Sequence, residues 1–385
     1  MNARWKLLVI IPLAAMILLG LPGCWDAKNI QDINYIAAIG IDYEGGKYVI
    51  YTQSLDFTNV AKQETKANEP APIWVGRGTG FTLDMAVNDI YNISPLRVLF
   101  EHTSALIITE RAMKHNINHM MDALRRYREV RYTPWVFGTK EPLDKLLSVT
   151  NVFNISPITS LLHHPEDVYQ QSSFIAPVPL QKVTSELGEP TSSILLPSLI
   201  TQDTQWVQNG KPSGQYLING AYIIANGENK KWMSWRDLMG LRWLTRTTAR
   251  APVVIGQEKK PVAVLSMYYP VSSVQVTMKN NQPVFRIKLK VSGHLDEMLE
   301  NVQVAELRRL LNEKIEKDIR QTFEKGLEYG LDIYNLKNEV YRKKLKLWKA
   351  LGNGKEIRLT PESIASIEIN ADIHHSGAYK FVNPK

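Results

Sequence analysis

The chain has 385 residues, 44% of them hydrophobic and 22% charged, with a formal net charge of +8. That composition belongs to a folded globule rather than a disordered or fibrous chain, and the mild basicity favours anionic lipid or an acidic partner over nucleic acid. Cys24 is the sole cysteine, which excludes an intramolecular disulfide, a thiolate metal site and a cysteine redox pair.

At the N-terminus, Arg4 and Lys6 precede an apolar run over 7–20, which ends in Leu21-Pro22-Gly23-Cys24. The run is shorter than the about 20 residues that a spanning helix needs, and its flanks are those of a secretory signal. The cysteine after a small residue stands where a lipoprotein signal is cut. Residues 1–23 are therefore expected to leave, with a diacylglyceryl thioether on Cys24. Two acyl chains anchor stably where one is marginal. No second long apolar run follows, so the rest is expected outside the bilayer.

Residues 35–41 and 48–55 are β-branched and aromatic, and Glu44-Gly45-Gly46-Lys47 between them is hairpin chemistry. A polar loop is expected over 58–72. Leu83, Ala86, Val87, Ile90 and Tyr91 step by three and four on a helix that Ser94-Pro95 ends. A buried strand at 105–109 precedes a second helix marked by Ile117, Met120, Met121 and Leu124, with Arg125, Arg126, Arg128 and Glu129 on its wet side. Another strand follows at 135–137, and the alternation suggests an α/β layer. Recurrent prolines among Ser, Thr and Gln over 141–213 predict short helices joined by turns, with a joint near 200–213.

Beyond it, 216–225 and 231–235 flank Asn226-Gly227 as a hairpin, and 237–245 reads as a short helix. Four successive strands are expected at 253–255, 262–267, 273–278 and 284–291, the last two turning at Asn280-Asn281. The longest helix should run from about 295 to 327, with Leu307, Leu310, Leu311, Ile315, Ile319, Phe323 and Leu327 as its stripe. Steps of four drift round a helix by about 40° each, which suits packing across a twisted sheet. A second amphipathic segment spans 331–351 and carries Lys337, Arg342, Lys343, Lys344, Lys346 and Lys349. Ile367, Ile369, Ala371 and Ile373 alternate with polar residues as a half-buried final strand. The expected fold is mixed α+β: packed helices on mixed sheets, a long C-terminal helix against an antiparallel sheet. The expected domains are 24–205 and 206–385, the second divisible at 290/291.

No catalytic constellation emerges: no G-x-S-x-G elbow, no HExxH and no phosphate loop. Gly76, Gly78 and Gly80 read as a flexible turn. His115 and His119 lie at i, i+4 without a carboxylate, the first in the turn before the helix. His163-His164 beside Glu166 and Asp167 read as a solvated turn interrupted by Pro165, and His374-His375 must face opposite sides of a strand. No metal or cofactor is expected. Trp206, Trp232, Trp235 and Trp243 are either core anchors or an aromatic platform for a partner. The run from Arg342 to Lys349 is either a solvated face or a contact with an acidic partner or membrane. Candidate partner-binding residues are Trp232, Trp235, Arg342, Lys343, Lys344 and Lys346.

Gly23-Cys24-Trp25-Asp26, then Ile39-Gly40-Ile41-Asp42, resemble the start of the Ger(x)C lipoproteins, the C subunits of nutrient germinant receptors in endospore-forming bacteria. So do PLRVLFEHTSALIITERAMKHNI at 95–117, RRYREVRYTPWV at 125–136, GAYII at 220–224 and DIYNLKNEVYRKKLKLWKAL at 332–351, with IHHSG at 373–377. The chain departs from the family pattern at Asn335-Leu336-Lys337, at Leu345 and at 373–377. The resemblance implies a non-enzymatic subunit, lipid-anchored at Cys24 on the outer face of the spore's inner membrane. Its implied partners are the A-type and B-type membrane subunits of the receptor. The runner-up is a substrate-binding lipoprotein of a transporter, against which stands the lack of two similar hinged lobes. A lipid-anchored envelope hydrolase comes third, without a catalytic motif.

Overall fold

Strand β1 (Ile33–Glu44), with a buried run over 36–42, and β2 (Lys47–Leu55), rich in β-branched and aromatic residues, form an antiparallel hairpin. Its turn rests on Gly45 and Gly46 at φ 55° and 79°, a conformation that costs glycine nothing. The computed structural model describes residues 33–55, 72–127, 129–225, 227–257 and 259–374. Cys24 with the whole signal region, the expected loop up to residue 71, Arg128, Asn226 and His375 lie outside them.

The next strand, β3 (Ile73–Gly80), pairs with β2 and overturns the reading of Gly76, Gly78 and Gly80 as a flexible turn. A Cβ on Gly78 would lie 2.3 Å from the Ala86 carbonyl oxygen, and one on Gly80 2.5 Å from the Ala86 nitrogen. The glycines let α1 (Leu83–Ile93) lie directly on the strand. Thr82 caps α1 by accepting from Met85 N–H, and the helix stops at Ser94 as expected. The short β4 (Arg97–Leu99) joins β1, and β5 (Ala105–Thr109) follows with the bounds read from sequence. Thr109 then caps α2 (Glu110–Arg126), which kinks at Asn116. His115 therefore lies within the first helical segment, not in a turn before it. Strand β6 (Trp135–Thr139) leads to α3 (Leu143–Leu147), α4 (Pro165–Gln171) and α5 (Leu180–Leu187), the expected short helices.

That texture ends sooner than expected, because β7 (Ser193–Gln202) is a ten-residue strand with Pro197 inside it. Pro197 stands opposite Ala221 in the ladder with β10, while β7 meets β6 only at Gly138↔Ser198. After the small pair β8 (Val207–Gln208) and β9 (Lys211–Pro212) come β10 (Gln215–Ala225) and β11 (Glu228–Ser234). The large sheet runs β11-β10-β7-β6-β5-β1-β2-β3, with β4 beside β1. Its centre, β1, β5, β6 and β7, is parallel, and antiparallel hairpins extend both ends. The sheet takes two of its strands from beyond residue 206. One face packs against α1, α2 and α5, and the other against α3 and Leu162.

The short α6 (Leu241–Leu244) is tighter than the expected 237–245 helix. It precedes a second sheet of order β12-β13-β14-β15. Strand β12 (Arg250–Gln257) pairs with β13 (Lys260–Lys279), in which the two expected strands are one, bent by a bulge between Tyr268 and Val271. Pro270 sits in that bulge, beyond the stretch that β12 pairs, where no ladder bond is required of it. Asn280 and Asn281, both at positive φ, turn the chain into β14 (Gln282–Met298).

Residues 295–298 remain in β14, opposite 263–265, so the long helix α7 starts later than expected and spans Val304–Glu328. Its stripe is as read from sequence: Leu307, Leu311, Ile315, Ile319 and Phe323 are buried against the second sheet. The expected segment 331–351 breaks at Lys344 into α8 (Leu336–Lys343) and α9 (Leu345–Ala350). The chain closes with β15 (Ile364–His374), parallel to β14, its alternation as expected. The described residues from Asn34 onward form one unit, and Leu331 and Ile333 pack against Ala221, Ile223 and Met233 of the first sheet.

Candidate interaction surfaces

The motif Ile39-Gly40-Ile41-Asp42 has a structural job. Gly40 leaves room for Leu143, whose Cδ1 would sit 2.9 Å from a Cβ there, so α3 can lie on β1. Asp42 is buried and accepts from Thr109 Oγ1 at 2.5 Å and from Arg111, tying β1 to the start of α2. His115 stacks on Tyr43 at 3.6 Å between ring centroids, while the kink at Asn116 separates it from His119.

His163 corrects the reading of a solvated turn, because it is fully buried between the first sheet and the loop that covers it. Its Nε2 lies 3.0 Å from Gln53 Oε1, which only accepts, so Nε2 carries the proton. Nδ1 then accepts from Ser104 Oγ at 2.5 Å. Burial, helped by neighbouring His164, pushes the imidazole pKa down to about 3. No group of three or more metal-ligating side chains exists among the described residues, and no described helix is long and apolar enough to cross a membrane.

The basic face divides on inspection. Arg342 is ion-paired with Glu189, whose other oxygen accepts from Asn338 Nδ2 at 2.7 Å. Burial alone would raise the Glu189 pKa, yet the bonds from Asn338 and Arg342 outweigh it and hold the carboxyl below its usual range. Asn335 completes this clasp by bonding both backbone groups of Ser193. Arg342 therefore fastens α8 to the turn between α5 and β7, and Asn335 fastens it to β7 itself. Lys343 pairs with Glu339 and donates to the Val274 carbonyl at 3.0 Å, covering a part of β13 that β12 leaves open. Lys344 and Lys346 are exposed, with no ion pair among the described residues.

The tryptophans divide too. Trp243 is buried and donates to Asp318 Oδ2 at 3.3 Å, whereas Trp206 is 51% exposed. Trp232 is half-buried, its ring over Gly220 and 5.5 Å from the Lys140 ammonium. Trp235 rests on Phe174 at 5.1 Å and lines a polar groove of 580 Å³ shared with α7. At that groove's base Asp318 is almost wholly buried, bonded to Lys314 at 2.7 Å and paired with buried Arg242 at 3.4 Å. Burial lowers the Arg242 pKa and Asp318 partly restores it. The groove holds none of the basic-face residues.

One feature escaped the sequence reading altogether. A partly open apolar cavity of 300 Å³ lies on the first sheet between α1 and the end of α2. Sealed and dry, a void of that size would cost about 7 kcal/mol at ~24 cal/mol per Å³. Leu83 and Val87 in its wall read from periodicity only as core. At its rim Tyr127 is bonded to Tyr91, which in turn donates to Glu129 at 3.1 Å. Burial first, then the Tyr91 bond, raises the Tyr127 pKa.

Two family models match most of the chain. The family model described as "Spore germination protein N-terminal domain" matches residues 26–201. The one described as "Spore germination B3/ GerAC like, C-terminal" matches residues 219–377. The chain belongs to the GerAC-like family of spore germination proteins. Among curated GerAC-like relatives in Bacillus subtilis (strain 168), spore germination protein KC is 23% identical over 97% of this chain and 96% of its own. Spore germination protein B3 is 22% identical over 88% of this chain and 91% of its own. A crystal structure titled as that of the GerBC protein covers 90% of this chain and 99% of its own, at 16% identity and a TM-score of 0.47. Within that match, Gly40 serves packing against Leu143 and Asp42 is a buried, hydrogen-bonded carboxylate.

Proposed function

We propose that this chain is the C-type subunit of a spore nutrient germinant receptor and is not an enzyme. It is held by a diacylglyceryl thioether on Cys24 to the outer face of the spore's inner membrane, and it acts by docking to A-type and B-type membrane subunits. The observation that carries the reading is the family match over nearly the whole chain, beginning two residues after Cys24. Exposed Lys344 and Lys346 are the docking candidates on the basic face, with Trp232 and Trp235 as the second surface. Arg342 and Lys343 contribute to that face while also holding α8 in place. The transporter reading has no support in the described residues, which build one nine-stranded and one four-stranded sheet rather than two like lobes.

The tether is tested by Cys24→Ala. In cells that lack the A-type and B-type subunits, the variant should fold as before and leave the membrane fraction, because no other cysteine exists and no described helix can span. A variant wholly membrane-bound after a high-salt wash would contradict the thioether. Binding that salt removes would instead belong to the basic surface.

A further inference from the structure

Residues packed on a sheet normally leave no void larger than a water molecule. Here α1 and the last turn of α2 stand apart over β1 and β2 and leave a cavity of 300 Å³. Ile39, Ile41 and Ile50 form its floor, and Val87, Phe100 and Leu124 stand in its walls. The floor and most of the wall are buried aliphatic or aromatic groups, so ordered water would find few partners there.

We propose that this cavity binds a medium-chain hydrocarbon bearing an uncharged, hydrogen-donating head, an alcohol-type amphiphile. Size sets the body: an apolar cavity of about 150 Å³ holds one benzene, so 300 Å³ takes about twelve carbon atoms. The rim sets the head. Asp84 lines it and Glu129 stands beyond Tyr91, while Arg126 is already paired with Asp122, so an anionic head is repelled; an ammonium would have to shed its water against the apolar wall, which a hydroxyl does at less cost. Tyr91 spends its proton on Glu129, which leaves Tyr127 as donor to Tyr91 and its oxygen still able to accept. A hydroxyl head supplies the matching donor. The amphiphile can be a free alcohol or a diacylglycerol of the membrane, whose one free glycerol hydroxyl shares this chemistry.

The test uses the full chain in phospholipid nanodiscs with a diazirine-bearing decanol, photolysed and mapped by mass spectrometry. Labelling should concentrate at least tenfold on Leu83, Val87, Leu124 or Tyr127 over exposed apolar residues such as Val271, and excess 1-decanol should compete it away. A parallel arm places the diazirine in the acyl chain of a diacylglycerol within the disc. Labelling of the cavity in either arm supports the site, and the arm that labels identifies the source. Val87→Trp and, from the opposite wall, Leu124→Trp should each lower the cavity signal at least fivefold. Either variant suffices if the other fails to fold. Labelling spread in proportion to exposure in both arms would overturn the proposal, as would cavity labelling that neither tryptophan diminishes.

Discussion

Buried His163 makes a specific demand on the pH dependence of stability. In the unfolded chain its imidazole takes a proton near pH 6.5, whereas burial holds the folded pKa down to about 3. Between those values only the unfolded state binds the proton. The stability that His163 confers is therefore complete above pH 6.5 and is lost progressively as pH falls towards 3. At about 1.4 kcal/mol per unit, the full interval of 3.5 units amounts to about 5 kcal/mol, and the stretch from 6.5 to 5 to about 2 kcal/mol. Carboxylates held below their usual range, Glu110 and Glu189 among them, lose their contribution only below pH 4.5. Burial raises the Glu186 and Asp332 carboxyls, which oppose this slope equally in the chain and in a His163 variant, so the difference between the two in urea unfolding at pH 7 and pH 5 isolates the histidine. The chain should lose about 2 kcal/mol more over that interval than His163→Gln. Glutamine can still donate to Gln53 and accept from Ser104, so at pH 7 the variant should give up only about 1–2 kcal/mol. Equal pH slopes in the two proteins would refute the argument, as would an imidazole Cε1–H signal for His163 that titrates near pH 6.5.

Asp318→Ala should destabilise the chain by about 3–5 kcal/mol in denaturant unfolding, because it strands the Arg242 guanidinium at 1% exposure. Arg242→Met combined with Asp318→Leu should recover most of that loss, and a double variant as unstable as the single would show that the pair itself is what stabilises. Lys344→Glu with Lys346→Glu should leave thermal stability within about 0.5 kcal/mol, since both side chains are exposed. In spores carrying that pair at normal level, the nutrient response should fall sharply if the face docks. A full response would move attention to Trp232 and Trp235.

Much of this fold could be read from periodicity, and the failures have physical causes. The stripe Leu307, Leu311, Ile315, Ile319, Phe323 and the alternation of 367–373 were legible because each buries one face only. Strand β3 was not, because its glycines carry no side chain from which a period could be read; their purpose appears only when α1 is seen against them. Pro197 hid β7 and Pro270 split β13, since a proline counts against a strand when the sequence is read alone. The candidate surface was legible only as composition. That Arg342 spends its charge on Glu189, 153 residues earlier in the chain, follows from tertiary contact alone. A cavity leaves no mark either, because Val87 is apolar on a helix face whether or not a neighbour fills the space beyond it.

The most direct measurement is recovery of the full chain, tagged at its C-terminus, from gently solubilised spore inner membranes, with its companions identified by mass spectrometry. The account predicts that an A-type and a B-type receptor subunit accompany it, and that deleting the chain abolishes the response to at least one nutrient while later germination steps remain intact. Recovery of the chain alone at normal level, with every nutrient response unchanged on deletion, would contradict it.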